Sequence, residues 1–167
     1  MPKTSLQDAR SLPDPLYTYQ WDVFIAMLPG TPNSRSLTYK ATSTSIPGSM
    51  LESVPVNLAG VELRYAGRQN FSHSFTLTLH ETRDTGSIEM LRRWQRIARD
   101  NNLNTGTYKD IYATAVELVL YDDTNQATRT ITLMGCWPET IDDSALDRAS
   151  AAVSINCTLS YDFFTET

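Results

Sequence analysis

Apolar and polar residues alternate along most of the chain, at the two-residue period of strands that bury one face. The alternation is clearest in two stretches, residues 71–79 and 152–164. One side of these stretches carries Phe71, His73, Phe75, Leu77, Leu79, Val153, Ile155, Cys157, Leu159, Tyr161 and Phe163. The other side is mostly Ser and Thr, so the pattern predicts two strands with one buried face and one polar face.

Further strands are predicted in the remaining alternating runs, which are residues 17–27, 37–46, 54–66, 112–121 and 128–136. Ala59-Gly60 predicts a bulge or bend inside one of them, because glycine weakens a strand interior. Trp137-Pro138 is expected to end the last run, since proline cannot donate to a sheet ladder. A loop is predicted at residues 46–53, with Met50 and Leu51 exposed.

One segment has the period of a helix instead. Its apolar positions recur every three or four residues, and they are Ile88, Leu91, Trp94, Ile97 and Ala98. Thr85 or Ser87 is expected to cap its first turn. The predicted fold class is therefore mainly β, an antiparallel β barrel or sandwich with one flanking α-helix. We expect one domain at residues 16–164, an N-terminal arm at 1–15 and a C-terminal tail at 165–167.

Long strands in a domain of this size leave sheet edges with unpaired backbone groups. Such edges make a monomer prone to aggregation, but they suit a chain that pairs with copies of itself. A ring of copies satisfies the edges in its plane when the rotation between copies closes. The strand pattern thus favours an assembling protein.

Composition narrows the possible partners. The chain has 167 residues with 14 Lys and Arg against 19 Asp and Glu, a net charge of −5. This charge argues against general nucleic-acid binding, which needs clustered basic residues. Residues 1–15 lack the apolar core of a signal peptide, and no window approaches the ~18 apolar residues of a membrane span. We therefore expect a chain made in the cytoplasm, without membrane anchoring.

Signals of chemistry are weak. His73 and His80 are seven residues apart on one predicted strand, so they should point to opposite faces and share no metal. His73 is expected to be a core or interface histidine. No G-x-S-x-G motif or glycine-rich phosphate loop is present. The predictions are no enzyme activity, no cofactor and no metal, with Cys136 and Cys157 as reduced thiols.

A basic stripe follows the polar side of the predicted helix. Arg92, Arg96 and Arg99 recur at helical spacing, and Glu89 lies one turn earlier, close enough to pair with Arg92. A solvated helix face is one interpretation of the stripe. The other is an electrostatic contact with an acidic partner.

Three stretches in this order resemble the tail tube proteins of contractile-tailed bacteriophages, and the resemblance runs from about Leu16 to Phe164. The first stretch covers residues 40–56 and includes Ile46-Pro47-Gly48. The second is residues 71–79 with the helix that follows, including Leu91, Trp94 and Gln95. The third joins Gly135-Cys136-Trp137-Pro138 to the strand ending at Tyr161-Asp162.

This resemblance implies a structural protein of the virion tail, assembled in the bacterial host. Six copies would form a ring whose inner strands join into one β barrel, and rings would stack into a tube. The implied partners are further copies, the tail sheath, the tape measure protein, and the baseplate hub and tail terminator. DNA would pass through without specific binding. In the family, the loop corresponding to residues 42–53 and the chain termini contribute to stacking.

Candidate surfaces follow from this assignment. The apolar loop suits the stacking contact, with Pro47, Gly48, Met50 and Leu51 as candidates. A channel that passes DNA needs walls that do not attract phosphate. Polar uncharged faces fit this need, and the candidate lumen residues are Ser72, Ser74, Thr76, Thr78, Thr128, Thr130 and Thr132. Exposure to water outside a sandwich explains those faces equally well. Arg92, Arg96 and Arg99 are the candidate sheath contact.

Two rival classes remain open. A secreted type VI secretion tube protein or a baseplate protein that starts the tube would share the fold. A β-sandwich binding module is a different class, in which Trp21, Trp94 and Trp137 form a platform. Core packing is the favoured role for these tryptophans, because Trp94 lies on the apolar stripe of the helix and Trp137 precedes a proline.

Overall fold

The fold was analysed in a computed structural model of the chain, which describes residues 10, 16–26, 35–83, 86–100, 102–142, 144, 146 and 151–167. The described strands are β1 Trp21–Ile25, β2 Ala41–Thr44, β3 Ser49–Leu58, β4 Val61–Phe71, β5 Ser74–His80, β6 Arg99–Asp100, β7 Thr105–Gly106, β8 Thr114–Tyr121, β9 Ala127–Ile141, β10 Ser154–Ser160 and β11 Phe163–Glu166. The helices are α1 Arg35–Lys40, α2 Gly86–Ala98 and α3 Lys109–Tyr112. Most of the predicted N-terminal arm lies outside these residues.

The strands confirm a mainly β, antiparallel architecture built around one long strand. The order in the large sheet is β1-β8-β9-β10-β5-β2, and β11 also pairs with β9. The first half of β9 pairs with β8 and β11, whereas its second half pairs with β10. Gly135, at a φ of 71°, lies between the two halves. We call the β1-β8-β9-β11 part sheet A and the β9-β10-β5-β2 part sheet B.

The prediction that Trp137-Pro138 ends its strand is wrong. β9 continues to Ile141, and Pro138 lies opposite Leu159 at a register shift. Thr140 pairs with Thr158, so Glu139 is left over as a bulge. A bulge already interrupts the ladder, and proline is therefore tolerated there.

The end of the chain also differs from the prediction. The single expected strand at residues 152–164 is divided at Tyr161-Asp162 into β10 and β11. Thr165 and Glu166, expected to form a tail, pair with Thr132 and Ile131 in sheet A. The backbone of Thr167 exchanges two hydrogen bonds with Thr130, at 2.8 and 3.0 Å. The C-terminus is thus part of the sheet.

Two predicted strands differ from the observed ones, the first in its length and the second in the turn that it contains. Residues 35–40 form α1, which buries Leu37, so the predicted strand at 37–46 is reduced to β2. Ala59-Gly60 is a two-residue turn and not a bend within one strand. Both residues have positive φ, 50° and 82°, as a type I′ hairpin turn requires. β3 and β4 are consequently the two arms of a hairpin.

The core follows the predicted alternation. Phe75, Leu77 and Leu79 of β5 are buried, and so are the alternate residues of β10. These side chains form one cluster with apolar residues of sheet A and with Leu91 and Trp94 of α2. Each fully buried side chain of this kind contributes on the order of 1.5–3 kcal/mol through the hydrophobic effect. The predicted helix is confirmed, although α1 and α3 accompany it.

Candidate assembly surfaces

The large sheet is open at its ends in the described part of the chain. β1 pairs only with β8, β2 only with β5, and β11 only with β9. The far side of each of these strands therefore offers backbone donors and acceptors that no other described strand uses. Such an edge pairs readily with a strand from another chain.

The β3–β4 hairpin pairs with no other strand among the described residues. Residues directly opposite each other in an antiparallel pair point to the same side. Three such pairs are wholly apolar, and they are Val54 with Tyr65, Val56 with Leu63, and Leu58 with Val61. All six side chains are exposed, from 36% for Val56 to 60% for Val61. We call these six residues the apolar hairpin face.

The opposite side of the hairpin is polar. Asn57 lies opposite Glu62, and Pro55 lies opposite Arg64. Arg64 Nη2 contacts Glu62 Oε1 at 2.8 Å. The hairpin is therefore amphipathic, yet every residue of β3 is exposed. A lone two-stranded hairpin is at best marginally stable in water. This hairpin therefore lacks, among the described residues, the packing partner that would stabilise it.

The candidate stacking residues are at the base of the hairpin. Met50 and Leu51 belong to β3 and not to the predicted loop, which ends at Gly48. Their exposed fractions are 65% and 62%. Gly48 is also exposed, whereas Pro47 is buried and offers little surface to a partner.

The candidate lumen residues fall into two groups on different sheets. Ser74, Thr76 and Thr78 are on the polar side of β5 in sheet B. They lie opposite Ser160, Thr158 and Asn156 of β10, so both strands present the same uncharged surface. Ser72 lies in the break between β4 and β5, where its Oγ is 2.8 Å from the hydroxyl of Tyr161.

The second group lies on the first half of β9 in sheet A. Thr132 is opposite Glu117 of β8 and Thr165 of β11, and Thr130 is opposite Val119. Thr128 donates a hydrogen bond to the carbonyl of Leu120. The structure does not bring the two groups together, and the second surface includes a carboxylate.

The predicted basic stripe, whose Arg92 and Arg96 lie on α2 and whose Arg99 begins β6, lines a groove. Arg92, Arg96 and Arg99 border it with Trp137 and Glu139, and its volume is about 450 Å³. The expected pairing of Glu89 with Arg92 is not formed. Within the described residues, the ion pairs are Arg64–Glu62, Lys109–Asp162 and Arg129–Glu166, so the stripe is not neutralised by them. Arg99 donates to Asn104 Oδ1 at 2.9 Å.

The residues that could take part in catalysis or metal binding lie apart from one another, and packing or local hydrogen bonding accounts for each of them. His73 is not on β5 but in the break before it, exposed, with Nδ1 2.9 Å from the carbonyl oxygen of Tyr161. The core alternative for His73 is therefore wrong, and the interface alternative stays a prediction. Cys136 and Cys157 are free and buried, and burial raises the pKa of each thiol to about 12. Across the described ranges, no three His, Cys, Asp or Glu side chains are grouped to hold a metal.

Comparison with known proteins assigns the family. The sequence profile of the phage tail tube proteins matches residues 17–167. The chain belongs to the phage tail tube protein family. The tail tube protein of Serratia phage KSP90 is 25% identical to this tail tube protein over 149 residues, covering 86% of this chain and 84% of the relative. The chain is accordingly a structural tube subunit, as its sequence resemblance implied.

Solved structures confirm the fold. A chain from the sheath-tube complex of an extracellular contractile injection system, PVC, matches at a TM-score of 0.67 and 12% identity, covering 99% of each chain. A type six secretion system protein matches at a TM-score of 0.55 and 10% identity, covering 87% of this tail tube protein and 81% of the other chain. No helix in the described residues is long and apolar enough to cross a membrane.

Sequence reasoning missed the apolar hairpin face, although a signal was present. Apolar residues occur at 54, 56 and 58 and then at 61, 63 and 65. The phase of the alternation shifts by one residue across Ala59-Gly60. A two-residue turn produces this shift, because the residues directly before and after it pair with each other and point to the same side of the hairpin.

Proposed function

We propose that this tail tube protein forms six-membered rings whose strands join into one continuous β barrel, and that the rings stack into a hollow tube. The observation that carries the proposal is the open backbone of β1, β2 and β11, in a chain of the tail tube family. Pairing between copies satisfies these edges, and a closed ring leaves none in its plane.

The channel would carry the tape measure protein first and the genomic DNA afterwards. Its wall must not retain phosphate, so uncharged side chains suit it. The β5 group, Ser72, Ser74, Thr76 and Thr78, is the preferred lumen face, because β10 extends the same uncharged surface. Thr128, Thr130 and Thr132 form the second candidate. Gly48, Met50 and Leu51 would contribute to stacking, together with the termini at residues 1–15.

A contractile sheath would surround the tube, and the groove beside α2 is the proposed contact for acidic side chains of the sheath. Replacing Arg92, Arg96 and Arg99 together by glutamate should abolish sheath co-assembly while leaving bare tubes intact. Arg93→Glu, on the neighbouring side of the helix, is the control and should leave co-assembly unchanged. Normal sheath polymerisation on triple-variant tubes would refute the contact. The baseplate hub and the tail terminator would bind the two ends of the tube in the virion tail.

Negative-stain electron microscopy of the purified protein, with light scattering for mass, tests the main proposal. Rings or hollow rods are expected as the concentration rises. Particles that remain monomeric at every concentration would contradict it.

A secreted type VI tube protein is the alternative, because the type six secretion structure shares the fold. Neighbouring genes discriminate the two: a sheath gene upstream and a tape measure gene downstream indicate a phage tail. A tube-initiating baseplate protein would instead cap the tube at one end. The binding-module class loses its proposed platform, since Trp94 is fully buried.

A further inference from the structure

The bend at which β9 passes from sheet A to sheet B is held by an ion pair from outside the two sheets. We propose that this pair, Lys109 with Asp162 beside Gly135, fixes the angle between the sheets and thereby the number of copies in the ring. The inference rests on the proposed function, and it assigns Lys109 and Asp162 as positioning residues for ring closure.

Two segments of the chain change sheets at the same place. On the sheet A side of the bend Met134 pairs with Phe163, and on the sheet B side Trp137 pairs with Ser160. Between these pairs the Asp162 N–H donates to the Met134 carbonyl at 2.9 Å. β9 therefore bends together with the connection from β10 to β11. No other described strand belongs to both sheets, so the angle between them is determined here.

The carboxylate of Asp162 lies directly beside the bend. A Cβ added at Gly135 would be 2.9 Å from Asp162 Cγ. Both carboxylate oxygens accept hydrogen bonds from Lys109 Nζ, at 2.5 and 2.6 Å. Lys109 is the first residue of α3, which belongs to neither sheet. The ion pair thus connects α3 to the point where the chain changes sheets.

The other end of α3 is fixed to α2 and to the sheet B half of β9. The indole N–H of Trp94, a fully buried residue of α2, donates to the Tyr112 carbonyl at 2.6 Å. The Tyr112 ring packs edge-on against Trp137, with the ring centroids 6.1 Å apart. The Gln95 amide donates to two carbonyls of β9 beyond the bend, at 3.3 Å each. Both helices are therefore held on the sheet B half, and Lys109 connects them to the bend.

The exposure of the ion pair indicates that its role is positional. The side chains of Lys109 and Asp162 are 43% and 52% exposed. An ion pair of this kind adds little to folding stability, because water screens the charges and two side chains lose freedom. Moving the carboxylate away from Gly135 nevertheless breaks two hydrogen bonds at once, so the pair resists a change in the angle of the bend.

The angle between the sheets matters because each sheet contributes an open edge. β1 and β11 belong to sheet A, and β2 belongs to sheet B. A ring that pairs all of these edges joins one sheet of a copy to the other sheet of its neighbour, which is a head-to-tail contact. The rotation from one copy to the next then depends on the angle within each copy.

A small change in that angle is enough to alter the ring. Six copies require a rotation of about 60° each and seven copies about 51°, so a change of roughly 9° per copy gives a different number. The twist between neighbouring strands of sheets varies over a range of about 25°. A bend without additional contacts is therefore compatible with several copy numbers, and the ion pair narrows this range.

The first experiment counts the copies in rings of variants that lack the ion pair. Lys109→Met and Asp162→Asn each remove a charge and keep the approximate size of the side chain. Native mass spectrometry and class averages from electron microscopy measure the copy number. We expect six copies for the wild type, and a spread over about five to seven for both variants, with the six-membered share reduced at least about twofold. Lys109→Arg keeps the charge and should retain six copies. Uniformly six-membered rings from both neutral variants would overturn the inference.

Arg129→Met is the matched control. Arg129 on β9 and Glu166 on β11 form an ion pair of similar exposure, 47% and 36%, but it lies within sheet A. Its loss should leave the copy number at six, whatever its effect on the concentration needed for assembly. A spread of copy numbers equal to that of Lys109→Met would show that the bend has no special role, and the inference would fail.

Distances within the monomer test the bend without assembly. Both native thiols are buried, so spin labels are attached to cysteines introduced at exposed positions, Glu117→Cys in sheet A and Ser154→Cys in sheet B. Double electron–electron resonance on dilute protein gives the distribution of distances between the labels. Adding Lys109→Met should broaden this distribution at least about twofold. Equal widths with and without Lys109 would overturn the inference, and this result also decides the case of a variant that forms no rings.

Folding of each variant is followed by circular dichroism and urea denaturation, which should remain close to wild type. A destabilised variant whose rings still contain six copies would assign the ion pair to folding alone and contradict the inference. The two proposals fail in different ways. Wild-type protein that forms no rings at any concentration refutes the proposed function, and the copy-number inference falls with it. Six-membered rings from wild type and neutral variants alike refute the inference only.

Discussion

At the scale of single residues, Gly135 holds the bend by which β9 passes from sheet A to sheet B. Its φ of 71° is in the region that favours glycine, and an added Cβ would lie 2.9 Å from Asp162 Cγ. Moving the Asp162 carboxylate away would disturb the hydrogen bonds that both of its oxygens accept from Lys109 Nζ, at 2.5 and 2.6 Å.

Gly135→Ala should therefore lower the free energy of unfolding by about 2 kcal/mol, through backbone strain and this close contact. Urea denaturation of the monomeric chain measures the change. Gly48→Ala is the matched control, since no atom lies within 4 Å of its added Cβ, and it should be nearly neutral. Equal stability of the two variants would show that the bend does not depend on Gly135.

At the scale of elements, the first turn of α2 is capped by a residue outside the helix. Glu81 follows β5, and its carboxylate accepts hydrogen bonds from the backbone N–H of Ser87 and Ile88 at 3.2 and 2.9 Å. Partial burial opposes ionisation of Glu81, but these bonds and one from Thr82 outweigh it, so its pKa is lowered. Of the two predicted caps, Ser87 is a buried member of the helix, and Thr85 lies outside the described residues.

Glu81→Gln should reduce the free energy of unfolding by about 1 kcal/mol at neutral pH, as the loss of a helix cap does. Because folding lowers this carboxyl pKa, its contribution is complete above the unfolded-state pKa and is lost as the pH falls through the folded-state value. Chemical denaturation from pH 3 to 7 should show the variant and the wild type converging at the acidic end. Glu117→Gln, on an exposed position of β8, should not alter the pH profile in this way.

At the scale of the whole molecule, stability and assembly are coupled. Contacts between folded copies stabilise the native state by mass action, so the melting temperature of an assembling chain rises with concentration. For six-membered rings, an approximately tenfold increase should add about 1 kcal/mol per subunit, or roughly 3 °C for a chain of this length. Differential scanning calorimetry measures the shift. A melting temperature independent of concentration would indicate that the open edges do not pair between copies.

The local periodicity of apolar residues is enough to predict much of the structure of this protein. Alternation in β5 and β10 assigns buried and exposed faces correctly, because side-chain direction in a strand depends only on the residue's own position. The same holds for Leu91 and Trp94 in α2. The order of three short stretches also sufficed to indicate the tail tube family. These properties require no knowledge of which strands are neighbours.

Tertiary structure decided the remaining features, because the sequence pattern does not determine which strands pair or in which register. Pro138 remains in a strand only because a bulge against β10 removes the need for its N–H, and Thr165 and Glu166 become a strand only because β9 offers them an edge. Ala59-Gly60 becomes a turn when the two arms pair, and this pairing places six separate apolar residues on one exposed face. Burial along one strand is a local property, whereas a surface made of several strands exists only once their register is set.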